Sequence, residues 1–179
     1  AEDPTSLLGD YVAPIGPEGV QSVADELRAA GERRGVTVES LALPGLVDGE
    51  LPAEVLADLQ SADRVIAVIG GPSHRHAHDS FADNGAALQA SDADAGEGVD
   101  RADLRLPHDQ ERFVQALRVA TPAPLIAVVV AGRPYVLSAV LENVDALLFA
   151  AYPGPGGGRA VADIVFGDRQ PVGRLAASM

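Results

Sequence analysis

The chain has no cysteine among its 179 residues, which excludes disulfides and thiolate metal sites from the outset. That absence does not choose a compartment, because cysteine-free domains occur in reducing and oxidising surroundings alike. Basic residues are scarce: 13 Lys and Arg stand against 26 Asp and Glu, a formal net charge of −13. Nucleic acids and anionic membranes attract cationic surfaces, so neither is expected as a partner. Long apolar runs are missing too, and none approaches the roughly 20 residues that cross a bilayer. Ala1-Glu2-Asp3-Pro4 offers neither a basic n-region nor an apolar core, so no signal peptide is read there. The expectation is a soluble protein, with the cytoplasm and the secreted space both open. No internal repeat and no linker rich in proline or serine divides it.

What remains is 47% hydrophobic and 22% charged, a balance that suits one domain over residues 1–179. Val20, Val23, Ala24 and Leu27 recur at helical spacing, with Pro17 and Glu18 suited to a first turn and Gly31 to a stop. Residues 36–43 read as a strand, and Pro52 opens a short helix through Val55, Leu56 and Leu59. A second strand, Val65 to Ile69, ends at Gly70-Gly71. Pro107 then marks a helix start, with Asp109 and Glu111 in its first turn and Phe113, Ala116, Leu117 and Ala120 on one face. Leu125 to Ala131 is the strongest strand, followed by a short helix around Tyr135 to Glu142. A strand from Ala146 to Ala150 comes next, and a last helix carries Ala160, Val161, Ile164 and Val165 and closes at Gly167. Strands without polar alternation are buried on both faces, as in parallel sheets covered by helices. The fold predicted is an α/β sandwich of helices around a mainly parallel sheet.

Residues 70–106 carry no strong periodicity, and a stretch of that length inside a compact domain points to function or mobility. Within it His74, His76 and His78 alternate ahead of Asp79, a spacing that could ligate a transition metal. The plainer reading is a polar loop at the sheet's edge, and no metal is predicted. Phe81, Asp83 and Asn84 follow; aromatic and amide groups suit sugar recognition, so these are the candidate substrate contacts, against the simpler reading of a solvated loop. Gly154 and Gly156 to Gly158 precede a helix, but no Lys-Ser/Thr follows, so they do not make a P-loop. Close packing of helix on strand is the expected purpose.

The second half holds short motifs in a fixed order. They begin with Gly96-Glu97-Gly98-Val99-Asp100-Arg101, then Leu104 to Pro107 with Gln110, then Ala131-Gly132-Arg133-Pro134. Ala151-Tyr152-Pro153-Gly154 follows, and Ala162 to Asp168 leads to Pro171 and Gly173-Arg174-Leu175. Together with Leu7-Leu8-Gly9-Asp10-Tyr11 near the start, this series resembles the C-terminal domain of family 3 glycoside hydrolases of the β-glucosidase type. The chain departs from the family at Pro155-Gly156, where Gln-Glu is usual, and at Ala176, where proline is usual. It also begins just after the point where the family's first apolar strand ends. The resemblance therefore implies a sheet lacking its first strand here, and a barrel domain or companion chain lying elsewhere.

The resemblance implies a role for Glu97 as the acid/base of a retaining glycosidase. Such enzymes use two carboxylates roughly 5 Å apart, one a nucleophile and one an acid that later acts as a base. Flanking glycines allow a loop to project a carboxylate into a cleft. The nucleophile, an aspartate in the family, belongs to the barrel, so the chain alone is expected to be inactive. Asp100 and Arg101 read as loop-fixing residues, since arginine can pin a loop by a two-pronged pair with a carboxylate. The implied partners are a β-linked glycoside or oligosaccharide and the barrel, with no cofactor. Two alternatives stand beside this reading: a non-catalytic structural or sugar-binding module, and an unrelated flavodoxin-like regulatory domain. The latter would need a phosphate or flavin loop after its first strand, and nothing after Val38 or Ile69 supplies one.

Overall fold

A computed structural model of the protein describes residues 2–12, 19–41, 50–73, 82–84, 88, 93–96 and 98–179. After a single 3-10 turn, Pro4–Leu7, the elements run α1 (Val23–Glu32), α2 (Ala53–Ser61), β1 (Val65–Gly70), α3 (Gln110–Ala120), β2 (Leu125–Val130), α4 (Ser138–Leu141), β3 (Ala146–Phe149) and α5 (Gly157–Val165). The strands form one parallel sheet in the order β1-β2-β3. Alternation along β2 divides its side chains between two cores. Leu125, Ala127 and Val129 point to the side where Val55, Leu59, Val114, Leu117 and Val140 of α2, α3 and α4 gather. Val128 and Val130 point to the other, against Val23, Leu27 and Ala30 of α1 and Val161 and Ala162 of α5. Helices cover both faces, and the α/β sandwich with a parallel sheet expected from the sequence is the fold observed.

The differences lie at element ends. Helix α1 starts at Val23, later than the periodicity suggests, because Ser22 and Asp25 form a capping box. The Asp25 N–H donates to Ser22 Oγ at 3.1 Å and the Ser22 N–H to Asp25 Oδ2 at 3.3 Å. Pro17 and Glu18 lie outside the described residues. Gly31 does not stop the helix; it is buried in the last turn, where an added Cβ would sit 2.7 Å from the Val36 carbonyl oxygen. The positive φ that ends the turn belongs to Gly35. Pro107 does not open α3, which begins at Gln110 after a His108 of positive φ, and α4 begins only at Ser138.

Residues 36–41 are not a strand, and residues 42 and 43 fall outside the description. A β-prone run needs a neighbour to bond, and none of the described strands lies against this one. Val36 and Leu41 are exposed, while Val38 leans on the α1–α5 side of the core.

Among the described residues β1 and β3 each pair with β2 alone, so the outer edge of β1, like that of β3, has no strand against it there. The Val65 N–H reaches the Pro124 carbonyl at 2.9 Å and the Gly71 N–H the Val130 carbonyl at 3.2 Å, so odd-numbered residues bond toward β2. Ile66, Val68 and Gly70 therefore turn their main-chain groups to the open edge. At Gly70 the side-chain amide of Gln110 occupies that edge: the Gly70 N–H donates to Oε1 at 2.8 Å, and Nε2 donates to the Gly70 carbonyl at 2.7 Å.

Candidate functional site

Because the strands are parallel, their carboxyl ends meet at one edge of the sandwich, the usual place for ligand sites in open α/β sheets. Three short segments emerge there: Gly71 to Ser73 after β1, Ala131 to Tyr135 after β2, and Ala150 to Gly154 after β3. The loop containing residues 93–96 and 98–101 returns onto them. Its Asp94 N–H donates to the Pro72 carbonyl at 2.7 Å, and the Arg133 Nη2 donates to the Val99 carbonyl at 3.3 Å.

Asp94 is the centre of this arrangement, with only 2% of its surface exposed. Its Oδ2 accepts the Tyr135 hydroxyl, and its Oδ1 lies 2.7 Å from Arg101 Nη1. The N–H groups of Arg101 are not aimed at that oxygen, so Oδ1 counts as ion-paired without a directed hydrogen bond. Coulomb attraction does not depend on that angle, so the short separation still pairs the two charges. Arg133 adds a second positive group, its Nε 3.9 Å from Oδ2. A buried carboxylate would otherwise be costly, and two guanidinium groups and a phenol offset that cost. The packing leaves no slack: an added Cβ on Gly71 would lie 2.5 Å from both the Asp94 Cβ and the Tyr135 hydroxyl oxygen.

Tyr152 comes from the far side, after β3, and donates its hydroxyl to the Gly71 carbonyl at 2.7 Å. Burial is the main reason that both phenols hold their protons more tightly than free tyrosine. For Tyr135 the neighbouring Asp94 carboxylate adds to the effect. Both rings therefore serve as hydrogen-bond donors throughout the physiological range.

Of the residues singled out in the sequence, Arg101 is brought onto Asp94. Asp100 is exposed, and its Oδ1 accepts the Arg101 N–H at 2.9 Å. Asp83 and Asn84 stand exposed in a separate turn. Glu97, Phe81, His74, His76, His78 and Asp79 lie outside the described residues. Among the described residues no group of three or more His, Asp or Glu side chains could hold a metal ion, and no helix is long and apolar enough to cross a membrane. Gly158 packs helix on helix rather than helix on strand, since its added Cβ would meet the Gln21 and Ser22 carbonyl oxygens at 2.7 Å. Sequence reading missed Asp94. The available signal was an arginine expected to pin a loop by pairing with a carboxylate, with no partner named for it.

The chain is 31% identical over 179 residues to a β-xylosidase of Formosa agariphila, covering 96% of this chain and 21% of that protein. It is 32% identical over 125 residues to a periplasmic β-glucosidase of Salmonella typhimurium, covering 70% of this chain and 14% of that protein. Among solved structures, a β-glucosidase from Listeria innocua in complex with isofagomine superposes with a TM-score of 0.71 at 24% identity, over 94% of this chain and 20% of the other. A family 3 β-glucosidase of Bifidobacterium adolescentis gives a TM-score of 0.61 at 26% identity, over 87% of this chain and 20% of that one. The chain thus spans about a fifth of the length of the first of these relatives. The model of the glycosyl hydrolase family 3 C-terminal domain matches residues 1–179, and the chain belongs to that family.

Proposed function

We propose that this domain supplies the general acid/base, Glu97, to a retaining β-glycosidase whose nucleophile lies on a separate barrel domain. The observation that supports it most is the anchoring of both flanks of the Gly96-Glu97-Gly98 loop. Asp94 is bolted beneath the carboxyl ends of β1 and β2, and Arg101 is bolted to Asp94. In the first step Glu97 gives its proton to the glycosidic oxygen as the nucleophile attacks the anomeric carbon and the aglycone leaves. In the second it removes a proton from water, which displaces the enzyme carboxylate from the sugar. The names of the relatives point to β-glucosides or β-xylosides as substrates. Membership of the family sets aside the flavodoxin-like alternative.

The open edge of β1 belongs to the same reading. Val65 to Ile69 is apolar throughout, without the lysine or proline that usually protects an exposed edge, and so has the composition of an inner strand. A strand from an earlier segment of the same protein, or from a companion chain, would bond Ile66 and Val68 there.

The test is Glu97→Ala in the complete protein, assayed with dinitrophenyl β-glucoside and β-xyloside and with cellobiose and xylobiose. The disaccharides should lose about 10²–10⁴-fold, the range for a lost general acid, and the activated glycosides far less in the first step. Azide should partly restore turnover of the activated glycoside, because it attacks without a base. The isolated domain should turn over neither. Equal losses on both substrate types, without azide rescue, would remove Glu97 from the mechanism.

A further inference from the structure

The Asp94 cluster has a property that the acid/base reading does not use. It ties both flanks of one loop to a single buried carboxylate. On the N-terminal flank, the Asp94 and Ala95 N–H groups both donate to the Pro72 carbonyl, at 2.7 and 3.4 Å. Gly96 lies so close to Asp10 that an added Cβ would sit 3.0 Å from its Oδ2. On the C-terminal flank, Arg101 closes onto Asp94 Oδ1 and Arg133 holds the Val99 carbonyl. Arg133 also approaches Asp94 at 3.9 Å, so the two flanks are cross-tied through one anion. Tyr135 fixes that anion in turn, from the segment after β2.

We propose that Asp94, with Arg101 and Tyr135, is a positioning residue for catalysis, acting through the loop that carries Glu97; the proposal rests on the acid/base reading of Glu97. Asp94 is too buried to touch a substrate, so any catalytic effect must pass through the loop it closes. A proton donor works only within hydrogen-bond reach of the leaving oxygen. Releasing one flank lets the loop spread over positions of which few are productive. A misplacement of about 1 Å by a residue remote from the chemistry can cost on the order of 10²-fold.

A double-mutant cycle in the complete protein separates this from a merely structural role. Asp94→Asn keeps the shape but removes the charge that closes the Arg101 flank. Its kcat on cellobiose or xylobiose should fall about 10²-fold, with KM changed by no more than about twofold. Dinitrophenyl glycosides should be less affected. In a Glu97→Gln background the same substitution should cost less than about threefold, because two residues acting as one unit are not additive. Tyr135→Phe removes one hydrogen bond and should show the same pattern at about fivefold; it decides the matter should Asp94→Asn fail to fold. If Glu97→Gln is crippled while the clasp variants are neutral, or lose equally in both backgrounds and on both substrate types, the positioning role is overturned and the acid/base reading stands. If Glu97→Gln leaves turnover intact, the acid/base reading falls and the positioning role with it.

Discussion

Gln110 offers a direct measurement of what the open sheet edge is worth. Its amide makes two main-chain bonds to Gly70, at 2.8 and 2.7 Å, where the strand's own ladder would otherwise be left without a partner. Gln110→Leu preserves most of the volume and removes both bonds, leaving one N–H and one carbonyl unpaired. Each buried orphan costs about 1–3 kcal/mol. Gly70 is only partly buried, so water reaches it in part and the low end applies, about 2 kcal/mol for the pair. For a domain of this length that corresponds to a fall in Tm of roughly 4–8 °C. Gln110→Glu adds a test with a sign. Ionised, it keeps the acceptor for the Gly70 N–H but sets a carboxylate against the Gly70 carbonyl; protonated, it mimics the amide on both sides. Its folded pKa should therefore rise above the unfolded value of about 4.3, so its stabilisation is complete below that pH and is lost as pH rises through the folded pKa. Calorimetry of the three proteins at pH 4 and pH 7 reads both effects. A Gln110→Leu transition within about 1 °C of the wild type would mean that water replaces the amide at no cost and that the edge is not locked there.

Two further outcomes follow from other parts of the fold. Ser22→Ala removes the capping box of α1 and should cost about 1 kcal/mol, read as a lower denaturant midpoint with an unchanged m-value; an unchanged midpoint would show that the cap is dispensable. The raised pKa values of Tyr135 and Tyr152 mean that both phenols stay protonated in the native state as pH climbs past the usual tyrosine range near 10. A group with a raised folded pKa contributes stability below its unfolded pKa and loses it above, so the contribution of these two tyrosines is lost on the alkaline side. Ultraviolet titration of the folded protein should find neither tyrosine ionising at pH 10; ionisation of either before unfolding would show that it is not held as described.

Much of this fold was legible because its strongest segments are unambiguous in period and length. Leu125 to Val130 could only be a buried strand, and its neighbours β1 and β3 read the same way. Helix ends were less legible, because caps depend on one hydrogen bond that spacing does not reveal, as Ser22 and Asp25 show against Pro17 and Glu18. The run at 36–41 failed for a different reason: β propensity describes a preference that only a partner strand can satisfy. In the candidate site the ordered motifs located the loop, but not what holds it. Asp94 lies in a stretch of small and acidic residues that read as solvated, and only the close approach of Gly71, Arg101 and Tyr135 makes it a buried centre.

That centre and the open edge are not independent features. Gly70 is gripped on the edge side by Gln110, while the next residue, Gly71, meets Asp94 and Tyr135 and gives its carbonyl to Tyr152. Two adjacent residues at the end of β1 thus carry the edge lock on one side and the floor of the loop clasp on the other. Both lack side chains, so every restraint on them acts through the backbone, and a shift in one is transmitted to the other with no rotamer to absorb it. The end of β1 is where strand pairing and loop placement meet. Changes that loosen the edge at Gly70 should therefore be felt at Asp94 sooner than equal losses of packing around α1 or α5, which cover the other face of the sheet.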